Sequence, residues 1–141
     1  MGTIITESSS FLACTGNHQF VESLYPNGLG QVLIGQFGLD QGRFNINLHV
    51  YTKPAKTVPK WGVWGGNYNV LVLEFTGDGF VDIKIDNWNG FRKAEVVCSK
   101  IERDFHLYQV GSDWKFELVF GMLSFQRGST YTDDGDGWYA L

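Results

Sequence analysis

The chain has 141 residues, 43% of them hydrophobic and 16% aromatic, with 18% charged and a net charge of −4. This is the length of one domain with enough apolar surface for a core, which excludes a disordered chain. Mild acidity argues against nucleic acid as a partner, and no run has the length of a membrane-spanning helix.

The opening MGTIITESSSFLAC has no basic start and no sustained apolar run. It does not read as an export signal, so the cytoplasm is the expected compartment. Cys14 and Cys98 are far apart and belong to no C-x-x-C or zinc-like cluster, which favours two reduced, structural thiols over a disulfide. The segment NHQFVESLY predicts a short helix within about residues 17–25, with Asn17 as N-cap and Pro26-Asn27-Gly28 as the stop.

From Gly30 onward the period becomes two. QVLIGQFGL (31–39) and RFNINLHVY (43–51) flank Asp40-Gln41-Gly42 and read as a hairpin. In the second run Phe44, Ile46, Leu48 and Val50 alternate with Arg43, Asn45, Asn47 and His49, giving one buried and one wet face. YNVLVLEF (68–75) is apolar on both faces and so reads as a central strand. Gly77-Asp78-Gly79 is expected to turn the chain into FVDIKID (80–86), with Val81, Ile83 and Ile85 inward. Asn89-Gly90 has the composition of a type I′ hairpin leading into FRKAEVVCS (91–99). DFHLYQV (104–110) and WKFELVF (114–120), joined at Gly111-Ser112-Asp113, form another pair, and MLSFQR (122–127) extends it or adds an edge strand. The fold expected is mainly β: an antiparallel meander of seven or eight strands, as a rolled sheet or two-layer sandwich, with one short N-terminal helix. It forms a single domain over residues 1–141, with 131–141 as a flexible tail.

Candidate chemistry is sparse. His18, His49 and His106 are scattered, no serine has a nucleophile-elbow context, and Cys14 and His18 lack a third orienting group. Glu74, Asp82 and Glu95 have the residue type for paired-carboxylate hydrolysis, but ordinary strand-surface charge accounts for them. DDGDGW (133–138) is rich in oxygen ligands, yet lacks the spacing and the twelfth-position Glu of an EF-hand. The expectation is no enzyme, no metal and no cofactor.

The stretch KPAKTVPKWGVWGGNYN (53–69) stands apart, since a hairpin needs only about two to five connecting residues. It carries Lys53, Lys56 and Lys60 with no acid, two prolines, and Trp61 and Trp64. Buried, the tryptophans would pin the connection over one end of the sheet; exposed, they would offer a sugar platform or a protein anchor. The first reading is preferred, with Trp61 buried.

This stretch and its surroundings resemble the immunity protein 50 family, predicted all-β immunity proteins encoded beside toxins in bacterial polymorphic toxin systems. The resemblance spans about residues 17–126: a short helix, a strand pair, a link with Pro54 and Pro59 ending in Lys60-Trp61, Asn69 before the apolar strand, and Trp88 after the next. It implies a protein that binds and neutralises a cognate toxin and has no active site of its own. A carbohydrate-binding β-sandwich is the alternative. For a basic toxin, the expected contact is the acidic C-terminal run Asp133, Asp134 and Asp136 with Trp138, which combines steering charge and an aromatic anchor.

Overall fold

A computed structural model describes residues 11–134 of the chain. A 3-10 turn over Phe11–Cys14 leads into α1 (Gln19–Leu24). Eight strands follow: β1 (Val32–Asp40), β2 (Arg43–Val50), β3 (Val70–Asp78), β4 (Asp82–Asp86), β5 (Val97–Ile101), β6 (Asp104–Val110), β7 (Lys115–Phe120) and β8 (Met122–Tyr131). They form two four-stranded antiparallel sheets, ordered β1-β2-β3-β8 and β4-β7-β6-β5. The mainly β fold is therefore the two-layer sandwich.

Both sheets share one connectivity. A three-strand meander, β1–β3 or β5–β7, is completed by the last strand of the other half, β8 or β4. The physical reason is one long antiparallel ribbon. β3 followed by β4 runs against β7 followed by β8, with Asp78 opposite Met122 and Asp82 opposite Val119. The ribbon passes from one sheet to the other where Gly79 and Gly121 meet, and the Gly121 amide donates to the carbonyls of Asp78 and Gly79. Gly77–Gly79 is thus a passage between layers and not a hairpin. The hairpins expected at Asp40–Gly42 and Gly111–Asp113 are formed, joining β1 to β2 and β6 to β7.

Asn89-Gly90 makes no type I′ hairpin, because β4 and β5 do not pair. Asn87 takes the left-handed backbone (φ 57°) and Trp88–Gly90 closes a 3-10 turn. The short helix lies within the expected span, but His18 and not Asn17 holds the N-cap position. Asn17 instead has φ 55° and its side-chain amide donates to the Phe125 carbonyl (3.0 Å), tying the helix entry to β8.

The core lies between the layers. Leu71, Leu73 and Phe75 of β3, Phe44, Ile46 and Leu48 of β2, Leu107 of β6 and Phe116, Leu118 and Phe120 of β7 all belong to it, and across the layers Phe44 meets Phe120 edge-on at 5.7 Å. Val21 and Leu24 of α1 and the turn residues Phe11 and Leu12 close one side, and Phe11 meets Phe75 edge-on at 5.2 Å. Cys14 and Cys98 are buried, form no disulfide and lie in contact; the hydrogen bond between them, with burial, pushes the Cys98 thiol far up, so it stays protonated. The sheets are joined at a Val32–Ala94 bridge, and buried Gln109 Nε2 donates to both of its carbonyls at 2.7 and 2.8 Å.

Candidate functional site

β2 and β3 are hydrogen-bonded neighbours, so the long segment between them is not a crossover but a hairpin connection far longer than a turn requires. Its path is fixed from both sides. At the start, the Tyr25 hydroxyl donates to Thr52 O (2.9 Å), Thr52 Oγ1 donates to Leu29 O (2.8 Å) and the Ala55 amide donates to Leu24 O (2.7 Å). Pro54 is buried beside these contacts. Burial, with the neighbouring Tyr68, pushes the Tyr25 hydroxyl above its ordinary range, so it stays a donor. In the middle, Pro59 opens a 3-10 turn that ends at Trp61, where its missing amide costs nothing. At the far end the Val63 amide donates to Asn67 Oδ1 and the Asn69 amide to Tyr131 O.

Trp61 is half-buried, where the sequence suggested burial. Its ring lies on Gly128 of β8, between Phe20 of α1 (5.9 Å between centroids) and Tyr68 (6.3 Å). Trp64, also half-buried, stands edge-on to buried Tyr68 at 5.3 Å. Lys53, Lys56, Thr57, Trp64 and Tyr68 line a groove of about 220 Å³. The Lys56 ammonium lies 6.0 Å from the Phe20 ring and that of Lys60 lies 5.9 Å from Trp61. Among the described residues none of the three lysines forms an ion pair. The connection thus presents unneutralised positive charge over an aromatic floor, an arrangement suited to an acidic surface.

The acidic residues expected to bind a partner begin beside it. Asp133 is half-buried, and its backbone closes a reciprocal pair with the Asn69 side chain, each bond 2.7 Å. Asp133 Oδ2 also accepts from the Tyr51 hydroxyl at 3.5 Å. Asp134 is exposed. Asp136 and Trp138 lie outside the described residues. Residues 131–134 are docked against the connection, so the tail expected to be flexible is anchored at its start.

The outer face of β2 is not uniformly wet. Arg43 and Asn45 are exposed, but His49 is 5% exposed, over Gly35 of β1, and its Nδ1 shares a 2.8 Å hydrogen bond with the Tyr131 hydroxyl. Sequence reading missed this because the covering residue comes from β8, 82 positions away. Burial lowers the His49 pKa from 6.5 to about 4. The unfolded chain takes up this proton near pH 6.5 and the folded chain does so only near pH 4. Stability from this group is therefore full above pH 6.5 and declines as pH falls towards 4. The expected loss is about 2 kcal/mol, discounted for partial screening. Urea melts at pH 7 and pH 4.5 should show a loss that shrinks in His49→Gln; an equal loss in both proteins would assign it to the carboxylates.

The other candidates do not converge. Glu74 pairs with Arg127 at 2.6 Å in one sheet, Asp82 is on β4 in the other, and Glu95 lies in the segment before β5. His18 contacts Thr15 O and Glu22, and His106 packs 5.3 Å from Tyr108. Cys14 meets Cys98. No cluster of three or more His, Cys, Asp or Glu suited to a metal occurs among the described residues. Comparison of the chain with protein-family models, with curated proteins and with solved structures finds no match.

Proposed function

We propose that this protein is an immunity protein that binds and neutralises a cognate bacterial toxin in the cytoplasm, and that the connection between β2 and β3 is its docking surface. The supporting observation is the connection itself. It is held by α1 and by the end of β8, and it carries three lysines that no described acid neutralises. A surface fixed before binding loses little conformational entropy on docking, and its charge steers an acidic face of the partner. The resemblance of the Pro54 to Trp88 pattern to immunity proteins supports the same reading. Asp133, bonded to Asn69 at the end of the connection, adjoins this surface, and the acidic run Asp133, Asp134 and Asp136 with Trp138 is the second part of the proposed contact. A glycan platform is less favoured, because Trp64 packs edge-on against Tyr68 and Trp61 lies on Gly128.

The test is co-purification with the product of the adjacent gene, followed by affinity measurements on the pair. Charge reversal of Lys53, Lys56 and Lys60 to Glu is expected to weaken binding by about 100-fold and to flatten its salt dependence. Deletion of residues 131–141 is expected to have a smaller effect. The opposite ranking would move the interface to the acidic run, and binding to a glycan array without toxin affinity would replace the immunity reading.

A further inference from the structure

Each sheet of a sandwich has two edges, and an unpaired edge is a template for another strand. Two of the four edges here carry backbone bonds to other segments, and a third has a turn packed beside it. The β1 edge carries the reciprocal Val32–Ala94 bonds (2.9 and 3.0 Å), and the β8 edge carries Gly16, bonded to Leu123 O and from the Phe125 amide. β5 packs beside the Phe11–Cys14 turn. β4 occupies in its sheet the place that β8 occupies in the other, yet no described residue forms a bridge on its outer edge.

β4 is also the strand whose apolar row is least covered. Ile83 and Ile85 stand opposite buried Leu118 and Phe116, on the core side of the sheet. Ile85 is nevertheless 39% exposed, and Val81, just before β4 with its amide bonded to Val119 O (2.9 Å), is 55% exposed, so these apolar side chains project beyond the core. The Ile83 amide donates to the Asp82 side chain beside it (Oδ1, 2.9 Å).

The order Val81-Asp82-Ile83-Lys84-Ile85 is complementary to its own reverse. Set antiparallel with Ile83 opposite Ile83, Val81 faces Ile85 and Asp82 faces Lys84, twice over. Centring on Lys84 would place Lys84 against Lys84 and Asp82 against Asp86, which repel. A slip by one residue would put the apolar row against the charged one.

We infer that the β4 edge binds a second copy of this chain, antiparallel and centred on Ile83, making one continuous eight-stranded sheet across a two-fold axis. The two Ile83 residues exchange amide and carbonyl bonds, and Asp82 leaves the Ile83 amide for Lys84 of the second copy. The contact lies on the sheet opposite in the sandwich to the one that carries the proposed toxin surface, and it does not depend on that reading.

Sedimentation velocity of the full chain, up to about 1 mM, should show a concentration-dependent dimer of modest affinity, as a short strand pair implies. Asp82→Lys sets lysine against lysine and is expected to weaken the dimer at least about tenfold. The exchange Asp82→Lys with Lys84→Asp restores opposite charges and should recover wild-type association to within about threefold. Both sites are exposed, and thermal melts check that the variants fold. Val81→Lys, on the apolar row, is a second route to dissociation. A monomer at every concentration overturns the inference, as does a dimer indifferent to Asp82→Lys and Val81→Lys, or one that the exchange fails to restore.

Discussion

Gly77→Ala is expected to cost about 3 kcal/mol, a large share of a small domain's stability. In an unremarkable strand position the change from glycine to alanine is favourable, because it restricts the unfolded chain. Gly77 is different because of what surrounds it. It lies on β3 between Phe44 of β2 and Leu123 of β8, and a Cβ there would overlap the Phe44 ring and come within 2.7 Å of the Met122 carbonyl oxygen. The Phe44 ring is 1% exposed and is held 6.0 Å from Phe37 and 5.7 Å from Phe120, so it has no space to retreat into. The Met122 contact is with backbone at the first residue of β8, two positions after β7 ends. Overpacking therefore dominates the entropic gain. Urea denaturation should show a lower midpoint with an unchanged m-value. Adding Phe44→Leu should recover part of the loss and not all of it, because the backbone contact persists. A Gly77→Ala protein as stable as wild type would mean that β2 and β3 do not pack in this register.

The same region shows which features were legible in the sequence. The alternation of β2, the apolar β3 and the turn at Asp40–Gly42 are local properties, written into residues a few positions apart. Pairings set by distant segments are not local. Nothing in 80–86 alone says that β4 will leave β3 and join β7, because the cause is a ribbon partner more than thirty residues away. Asn89-Gly90 has the composition of a hairpin, but that composition serves only strands that pair, and here Asn87 makes the bend instead. The alternation Val81, Ile83, Ile85 marked a strand correctly but overstated the burial of Val81 and Ile85, since the period does not distinguish an edge from a centre. His49 shows the converse: a polar residue on the face read as wet is buried because Tyr131 lies against it. In the candidate site, the lysines, prolines and tryptophans of 53–69 were readable as unusual. Their anchoring to α1 and β8 rests on backbone bonds that carry no residue signature.

Trp61→Ala is expected to cost about 2–3 kcal/mol, less than the 3–5 typical of a fully buried Trp. The ring is half-buried, so part of its surface stays in water in the folded state and contributes nothing to burial. What it does cover is specific: Gly128, whose added Cβ would lie 3.0 Å from the ring, the side of Phe20, and Tyr68. These belong to β8, to α1 and to the end of the connection itself, so one side chain joins three segments. Its removal should act locally before it acts globally. In hydrogen exchange the Ala55 amide, bonded to Leu24 O, and the Asn69 amide, bonded to Tyr131 O, should lose protection first, while the amides between β6 and β7 keep theirs. On the docking reading proposed above, the loosened connection must then be reordered on binding, so affinity for the proposed toxin should fall even if Trp61 touches nothing in the partner. The contrast with Trp64→Ala separates the two roles. Trp64 meets only Tyr68 among the described aromatic rings, so its removal should leave both amides protected. Lost affinity in Trp64→Ala with an undisturbed connection would identify Trp64 as a contact. If Trp61→Ala melts with wild type and leaves Ala55 protected, the hydrogen bonds and buried Pro54 suffice to hold the connection, and Trp61 is then available to the partner.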